Sequence, residues 1–261
     1  MRTALIGYTG FVGSNLASRH EFDAVYNTRN IAEIANESFD LVVSAGNRAD
    51  SHRINRNGPE DLAEIDALAD RLDSVRIGKL VLVSTVCVYA GGSTPTESTP
   101  LSPEDLTPYG ANRLHQEQRL SAAHDTLVIR LPQLYGDGLK KGIIYDLAND
   151  YRVEHIRPDA EFQYYDARRL WNDIGVALEA GIDSLNLATP PLRADTVARE
   201  GFGIDVSQND PGPADPFAAM YSRDMRTEHA GLFGASGGYL LDEAAELDGI
   251  REFARSIREV V

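Results

Sequence analysis

Lysine is almost missing from this chain: only Lys79, Lys140 and Lys141 occur, and every other basic side chain among its 25 is Arg. That scarcity removes most candidates for a catalytic lysine. Cysteine is scarcer still. The lone Cys87 excludes an intrachain disulfide, and its apolar, strand-like surroundings suit a small hydrophobe better than a nucleophile. Positive charge is also short. Forty Asp and Glu leave a formal charge of −15, which argues against a nucleic-acid or anionic-membrane surface. A local basic pocket for a phosphorylated ligand stays compatible with that balance. No run is long and apolar enough to cross a membrane. The first apolar run begins at Thr3, so no signal peptide is expected, and a cytoplasmic protein is. Internal repeats, metal-ligand spacings and a nucleophile-elbow pattern are absent, and the six histidines are scattered.

What is present starts at once. Thr3–Ile6 is a short apolar run with strand character, ended by Gly7. Gly10 and Gly13 follow at three-residue spacing, and Ser14–Arg19 reads as helix. A strand, a glycine turn and a helix start make a phosphate seat. Glycines turn without Cβ clashes and let the backbone approach a pyrophosphate, and a helix N-terminus favours the anion. Gly7, Thr9, Gly10, Phe11, Val12 and Gly13 are therefore candidates for dinucleotide contact, with Ala45 and Gly46 at the end of a later strand, Asp40–Ala45. The second strand, Ala24–Asn27, ends in Asn27-Thr28-Arg29-Asn30. An acid there would take the ribose hydroxyls of NAD. None is present, and Arg29 suits the 2′-phosphate of NADP, with NAD the other option. Between this strand and the next lies only a short helix, Ile31–Asn36. That is too little for a full crossover, so one strand–helix unit is expected to be trimmed.

Pro59–Leu72 has the 3.6-residue periodicity of an amphipathic helix, and Lys79–Val83 is nearly all apolar, as a buried parallel strand should be. Four stretches then carry a resemblance, in order: Gly7–Gly13 as a GxxGxxG turn, Ser84-Thr85-Val86-Cys87-Val88-Tyr89 as a strand end, Tyr109–Arg113 opening a helix, and Arg130–Gly136 after the strand Thr126–Leu131. Together, over Met1–Gly138, they resemble the extended short-chain dehydrogenase/reductase family of nucleotide-sugar epimerases, dehydratases and reductases. The implied fold is α/β: a Rossmann-type, doubly wound parallel sheet (1–138) with a small C-terminal substrate lobe (139–261), sheet strands interleaved.

The resemblance assigns Tyr109 as acid/base and Thr85 as the hydroxyl that holds the substrate oxygen. Proton transfer by a phenol requires its pKa to be drawn down from about 10, for which a fixed cation beside it and the positive charge of a nicotinamide are suited. The family has Lys where this chain has Arg113. A guanidinium keeps the charge but is larger, planar and forked. Arg113 then either binds the nicotinamide ribose and acidifies the phenol, or holds the ribose while chemistry is slow, or sits in a protein that binds without turnover. On the substrate side, Leu134 and the pair Lys140–Lys141 are candidates for a nucleotide-sugar diphosphate. Arg168 and Arg169 are readable as anion contacts or a solvated face, and Trp171 as core.

Further on, Ile143–Asn149, Arg168–Ala180, Arg193–Gly201 and Leu241–Val260 read as helices, and Glu161–Tyr165 and Ser184–Thr189 as strands. Ile204–Arg226 is irregular, a lid or a subunit contact. A homodimer is implied by the resemblance alone. The expected function is an NAD(P)-dependent oxidoreductase or epimerase acting on a nucleotide-linked sugar. The alternative is a catalytically weak or inactive Rossmann protein that binds NAD(P) as a sensor or scaffold.

Overall fold

The computed structural model describes residues 1–212 and 223–258. Contacts divide the chain into two compact units. The first comprises Met1–Ala90, Ser98–Leu131 and Arg168–Asn186. The second comprises Gly91–Glu97, Pro132–Ala167 and the chain from Leu187 onward. The units alternate along the sequence rather than meeting at one boundary.

The first unit holds a six-stranded sheet: β1 (Thr3–Ile6), β2 (Ala24–Tyr26), β3 (Ser38–Ser44), β4 (Arg76–Thr85), β5 (Thr126–Leu131) and β9 (Ser184–Asn186), in the order β2-β1-β3-β4-β5-β9. Every pairing is parallel. Helices follow the strands: α1 (Phe11–Ala17), α2 (Ser51–Ile54), α3 (Gly58–Leu72), α4 (Pro108–Ala123) and α6 (Leu170–Ala180). Strands covered on both faces are mostly apolar, and all of β1 and β5 is buried. The chain reverses its direction of winding at β1, with β2 on one side and β3 on the other. Beyond β2 there is no further strand among the described residues. The β2–β3 link holds only a 3₁₀ turn, Ile31–Ile34, as the shortness of that segment implied.

Helix starts follow local chemistry. α4 begins at Pro108, and its N-cap Thr107 accepts from the Gly110 N–H at 3.3 Å. α1 starts at Phe11, three residues before the expected Ser14, because Gly10 is the N-cap and Ser14 N–H already bonds the Gly10 carbonyl at 2.8 Å. Trp171 is half-buried rather than core. It stacks on His20, with ring centroids 4.0 Å apart. Arg169 pairs with buried Asp173 at 3.6 Å.

The second unit carries two small sheets: β6 (Gln133–Tyr135) parallel to β8 (Tyr164–Asp166), and β7 (Glu161–Phe162) antiparallel to β10 (Leu192–Arg193). The strand expected over Glu161–Tyr165 is thus broken at Gln163. Its buried side-chain amide donates to the carbonyls of Thr189 and Met225 and accepts from Met225 N–H, while its backbone carbonyl still accepts from Gln133 N–H at 3.1 Å. The helix expected at Arg193–Gly201 is one α turn, α7 (Ala194–Thr196), continued as a π turn over Val197–Phe202. With α5 (Ile143–Ala148) and α8 (Glu243–Arg258), these elements enclose a core that includes Tyr135, Ile144, Tyr164, Ile250 and Phe253. Of the irregular stretch Ile204–Arg226, positions 213–222 lie outside the described residues, as do the last residues expected in the terminal helix. Among the described residues no helix is long and apolar enough to cross a membrane.

Candidate active site

The glycine turn is built by close approach. Gly7 has φ +88°, and a Cβ there would lie 2.5 Å from the Ala45 carbonyl oxygen. A Cβ on Gly13 would lie 2.1 Å from the Gly7 carbonyl oxygen. Only glycine fits either place. Gly7 N–H bonds the Tyr26 carbonyl at 2.7 Å and Gly10 N–H bonds Gly7 at 2.9 Å, so β1, β2 and the turn are tied together. The first-turn amides of α1, on Phe11, Val12 and Gly13, have no partner within the helix. Gly10 contributes no side chain in front of them.

A cleft of about 380 Å³ opens at this switch point of the sheet, where open α/β folds place their ligands. Gly7, Thr9, Gly10, Ala45 and Gly46 line its floor. Asn27, Thr28 and Ile31 line it after β2, and Asp61, Glu64, Leu68 and Arg71 of α3 form a wall. A glycine-made cradle, unpaired helix amides and a switch-point cleft together fit a dinucleotide. None of the cleft-lining residues that follow β2 is a carboxylate. Arg29, however, is exposed and not among the lining residues, its backbone N–H held by the Asn27 side chain at 2.8 Å.

Tyr109, Thr85 and Arg113 do come together. Gly110 brings α4 so close to the turn after β4 that a Cβ would stand 2.1 Å from the Cys87 carbonyl oxygen, and Tyr109 N–H bonds Asn55 Oδ1 at 2.9 Å. The Arg113 guanidinium lies 4.7 Å from the Tyr109 ring centroid. Thr85 Oγ1 accepts from Cys87 N–H at 3.2 Å.

Arg113 alone does not acidify the phenol. Burial pushes its pKa above the ordinary value and the neighbouring Cys87 adds to the rise. The charge of Arg113, with hydrogen-bonding contact from Arg113 and Thr85, pulls the other way but does not prevail. Arg113 is committed to a carboxylate. Its Nη1 and Nη2 bond both oxygens of Asp61 at 2.9 and 3.0 Å, and Nη2 also donates to the Arg48 carbonyl at 2.7 Å. Asn112 Nδ2 gives the same carboxylate a third bond at 2.9 Å. Arg113 is 2% and Asp61 5% exposed, so this is a buried, bidentate pair. Asp61 and Arg48 line the cleft; Tyr109 does not.

Asp61 escaped the sequence reading, yet a signal existed. It stands four residues before Ile65 and eight before Ala69, on the buried stripe of α3. An acid in register with a core face announces a buried partner. Glu117 is similar, in register with Tyr109 and Arg113 on α4. It takes Arg130 Nη2 at 2.8 Å and Arg130 Nε at 3.2 Å, and Ser84 Oγ also donates to it. Arg130 Nη1 donates to Tyr89 Oη at 2.7 Å, and Tyr89 donates to Asn186 at 3.0 Å. This buried network joins β4, α4, β5 and β9 behind the Thr85 strand end. Tyr89 and Arg130, both read from motifs, belong to it. In the second unit, Leu134 is half-buried on β6, while Lys140 and Lys141 are exposed before α5.

A family model described as the NAD dependent epimerase/dehydratase family matches residues 18–174. The chain resembles a dTDP-glucose 4,6-dehydratase, DesIV from Streptomyces venezuelae, solved with NAD. The TM-score is 0.76 at 16% identity over 99% of this chain and 97% of that one. It also resembles a UDP-glucose 4-epimerase from Thermotoga maritima, solved with UDP-glucose, at TM-score 0.74 and 13% identity over 100% and 99%. MoeE5 in complex with UDP-glucuronic acid and NAD gives TM-score 0.74 at 14% identity over 98% and 99%. No curated protein sequence matches the chain. With more than half of its length matched by the family model, and with the sheet order and glycine turn described above, the chain belongs to the NAD-dependent epimerase/dehydratase family.

Proposed function

We propose that this protein is an NAD(P)-dependent enzyme that modifies a nucleotide-linked sugar as an oxidoreductase or epimerase. The observation that carries the reading is the gathering of Tyr109, Thr85 and Arg113 beside the cleft, through Asp61 and Arg48, which line it. Gly7, Thr9, Gly10, Phe11, Val12, Gly13, Ala45 and Gly46 would hold the dinucleotide. When bound, it supplies or accepts the hydride.

Tyr109 exchanges a proton with the sugar hydroxyl or keto oxygen, and Thr85 holds that oxygen. With its pKa raised by burial, the phenol rests protonated near neutral pH, which suits donation to a keto oxygen. Arg113, held against the ring by Asp61, positions the phenol. Leu134, Lys140 and Lys141 are our assignments for the substrate side. A dehydratase would need an acid next to Thr85, and Val86 and Cys87 provide none. NADP is favoured by the carboxylate-free cleft lining after β2, and NAD by the company of NAD-bound neighbours.

The Arg113–Asp61 pair favours a second reading. A guanidinium neutralised by a buried carboxylate aids phenol ionisation less than a free cation does. A catalytically weak protein that binds the dinucleotide as a sensor or scaffold fits that feature. Turnover of a panel of nucleotide sugars by wild type and Tyr109→Phe decides between them. Turnover lost in Tyr109→Phe supports the enzyme. Tight dinucleotide binding without Tyr109-dependent turnover supports the second reading.

A further inference from the structure

The cleft wall formed by α3 carries a cation that nothing in the first unit occupies. Asp61, Glu64, Leu68 and Arg71 face the cleft at helical spacing. Asp61 to Arg71 spans about 15 Å along the axis, at about 1.5 Å per residue. At one end, Asp61 is committed to Arg113. Next, Glu64 is committed to Arg48 at 2.8 Å. At the other end, Arg71 makes no ion pair or side-chain hydrogen bond among the described residues. Of the four charged groups that line the cleft, Arg71 is thus the one whose charge is not already matched.

Its position matters. Leu68, one turn earlier on the same face, packs with Ile31 on the core cluster that holds Tyr26 and Leu72. Arg71 therefore lies at the β2 end of the cleft, with Asn27, Thr28 and Ile31. Those three lining residues offer no carboxylate to a ribose. Asn30 is spent on the turn itself, its Oδ1 accepting from Asn27 N–H at 2.8 Å and its Nδ2 donating to the Val25 carbonyl at 3.0 Å, and Asn27 Oδ1 holds Arg29 N–H. The trimmed β2–β3 connection leaves α3 as the wall here, so the recognition residue comes from a helix rather than from the strand end.

We infer that Arg71 binds the 2′-phosphate of NADP, in place of Arg29. The inference rests on the dinucleotide reading above and deepens it. Calorimetric titration of the intact protein with NADP⁺, NAD⁺ and 2′,5′-ADP tests it on wild type, Arg71→Ala and Arg29→Ala. Loss of one charge-assisted bond predicts that Arg71→Ala weakens NADP⁺ and 2′,5′-ADP by about 10- to 100-fold. NAD⁺ should stay within about twofold, and Arg71→Lys should recover part of the loss. Equal weakening of NADP⁺ and NAD⁺ by Arg71→Ala would assign the side chain to the adenine and overturn the inference. So would selective loss in Arg29→Ala alone, or a wild type that binds NAD⁺ with no gain from the 2′-phosphate; both leave dinucleotide binding standing. Failure of wild type to bind either dinucleotide overturns both readings together.

Discussion

Asp61→Asn probes the pair on which the site is built. In the wild type the carboxylate accepts from both Arg113 Nη atoms and from Asn112, all between 2.9 and 3.0 Å. The amide offers one oxygen instead of two, and its NH₂ group faces donors. Arg113 keeps its charge at 2% exposure, with the Arg48 carbonyl as its remaining acceptor. Removing one side of a buried ion pair costs about 3–5 kcal/mol, a large part of the roughly 5–15 kcal/mol that holds a domain folded. At a urea slope of about 3 kcal/mol/M, the unfolding midpoint falls by about 1–2 M. The assay is urea denaturation followed by circular dichroism, with midpoint and slope fitted separately. Arg113→Met combined with Asp61→Leu removes both charges at similar volume and should regain most of the loss. An Asp61→Asn protein within about 1 kcal/mol of wild type would refute the reasoning, as would a double variant no more stable than the single one. Either result would mean that the pair does not hold α3 to α4.

Three further predictions follow from other parts of the molecule. Gly13→Ala places a methyl 2.1 Å from the Gly7 carbonyl oxygen, so dinucleotide binding should disappear in calorimetry and the melting temperature should drop. In the ligand-free protein, the tyrosinate absorbance difference between wild type and Tyr109→Phe should show no ionisation below the ordinary phenol value of 10.0, because burial raises this pKa; a component titrating near neutrality would contradict that. Glu246, 1% exposed and with no partner for Oε2 among the described residues, has its pKa pushed up to about 9 by burial, against the pull of the Tyr164 N–H at 2.9 Å. Between its ordinary value of 4.5 and about 9 the folded protein holds the extra proton, so stability falls as pH rises through that window. Glu246→Gln should flatten the decline in melting temperature between pH 5 and 8. An equally steep decline in the variant would count against it.

The parts legible in the sequence are those set by neighbours in the chain. Thr3–Ile6 followed by Gly7, Gly10 and Gly13 specifies a strand, a positive-φ turn and a helix start, because backbone freedom at glycine is local. Thr107-Pro108 starts α4 for a similarly local reason. The short β2–β3 segment foretold the trimmed sheet, since chain length alone limits a crossover. Tertiary structure decided the rest. Arg113 finds Asp61 from 52 positions away, and Gln163 breaks a strand to bond residues 26 and 62 positions on. Whether the Tyr109 phenol becomes more or less acidic is a sum of burial and charges brought in from several elements. Hydrogen-bond partners and desolvation depend on which segments meet in space, and no window of sequence contains both sides of that meeting.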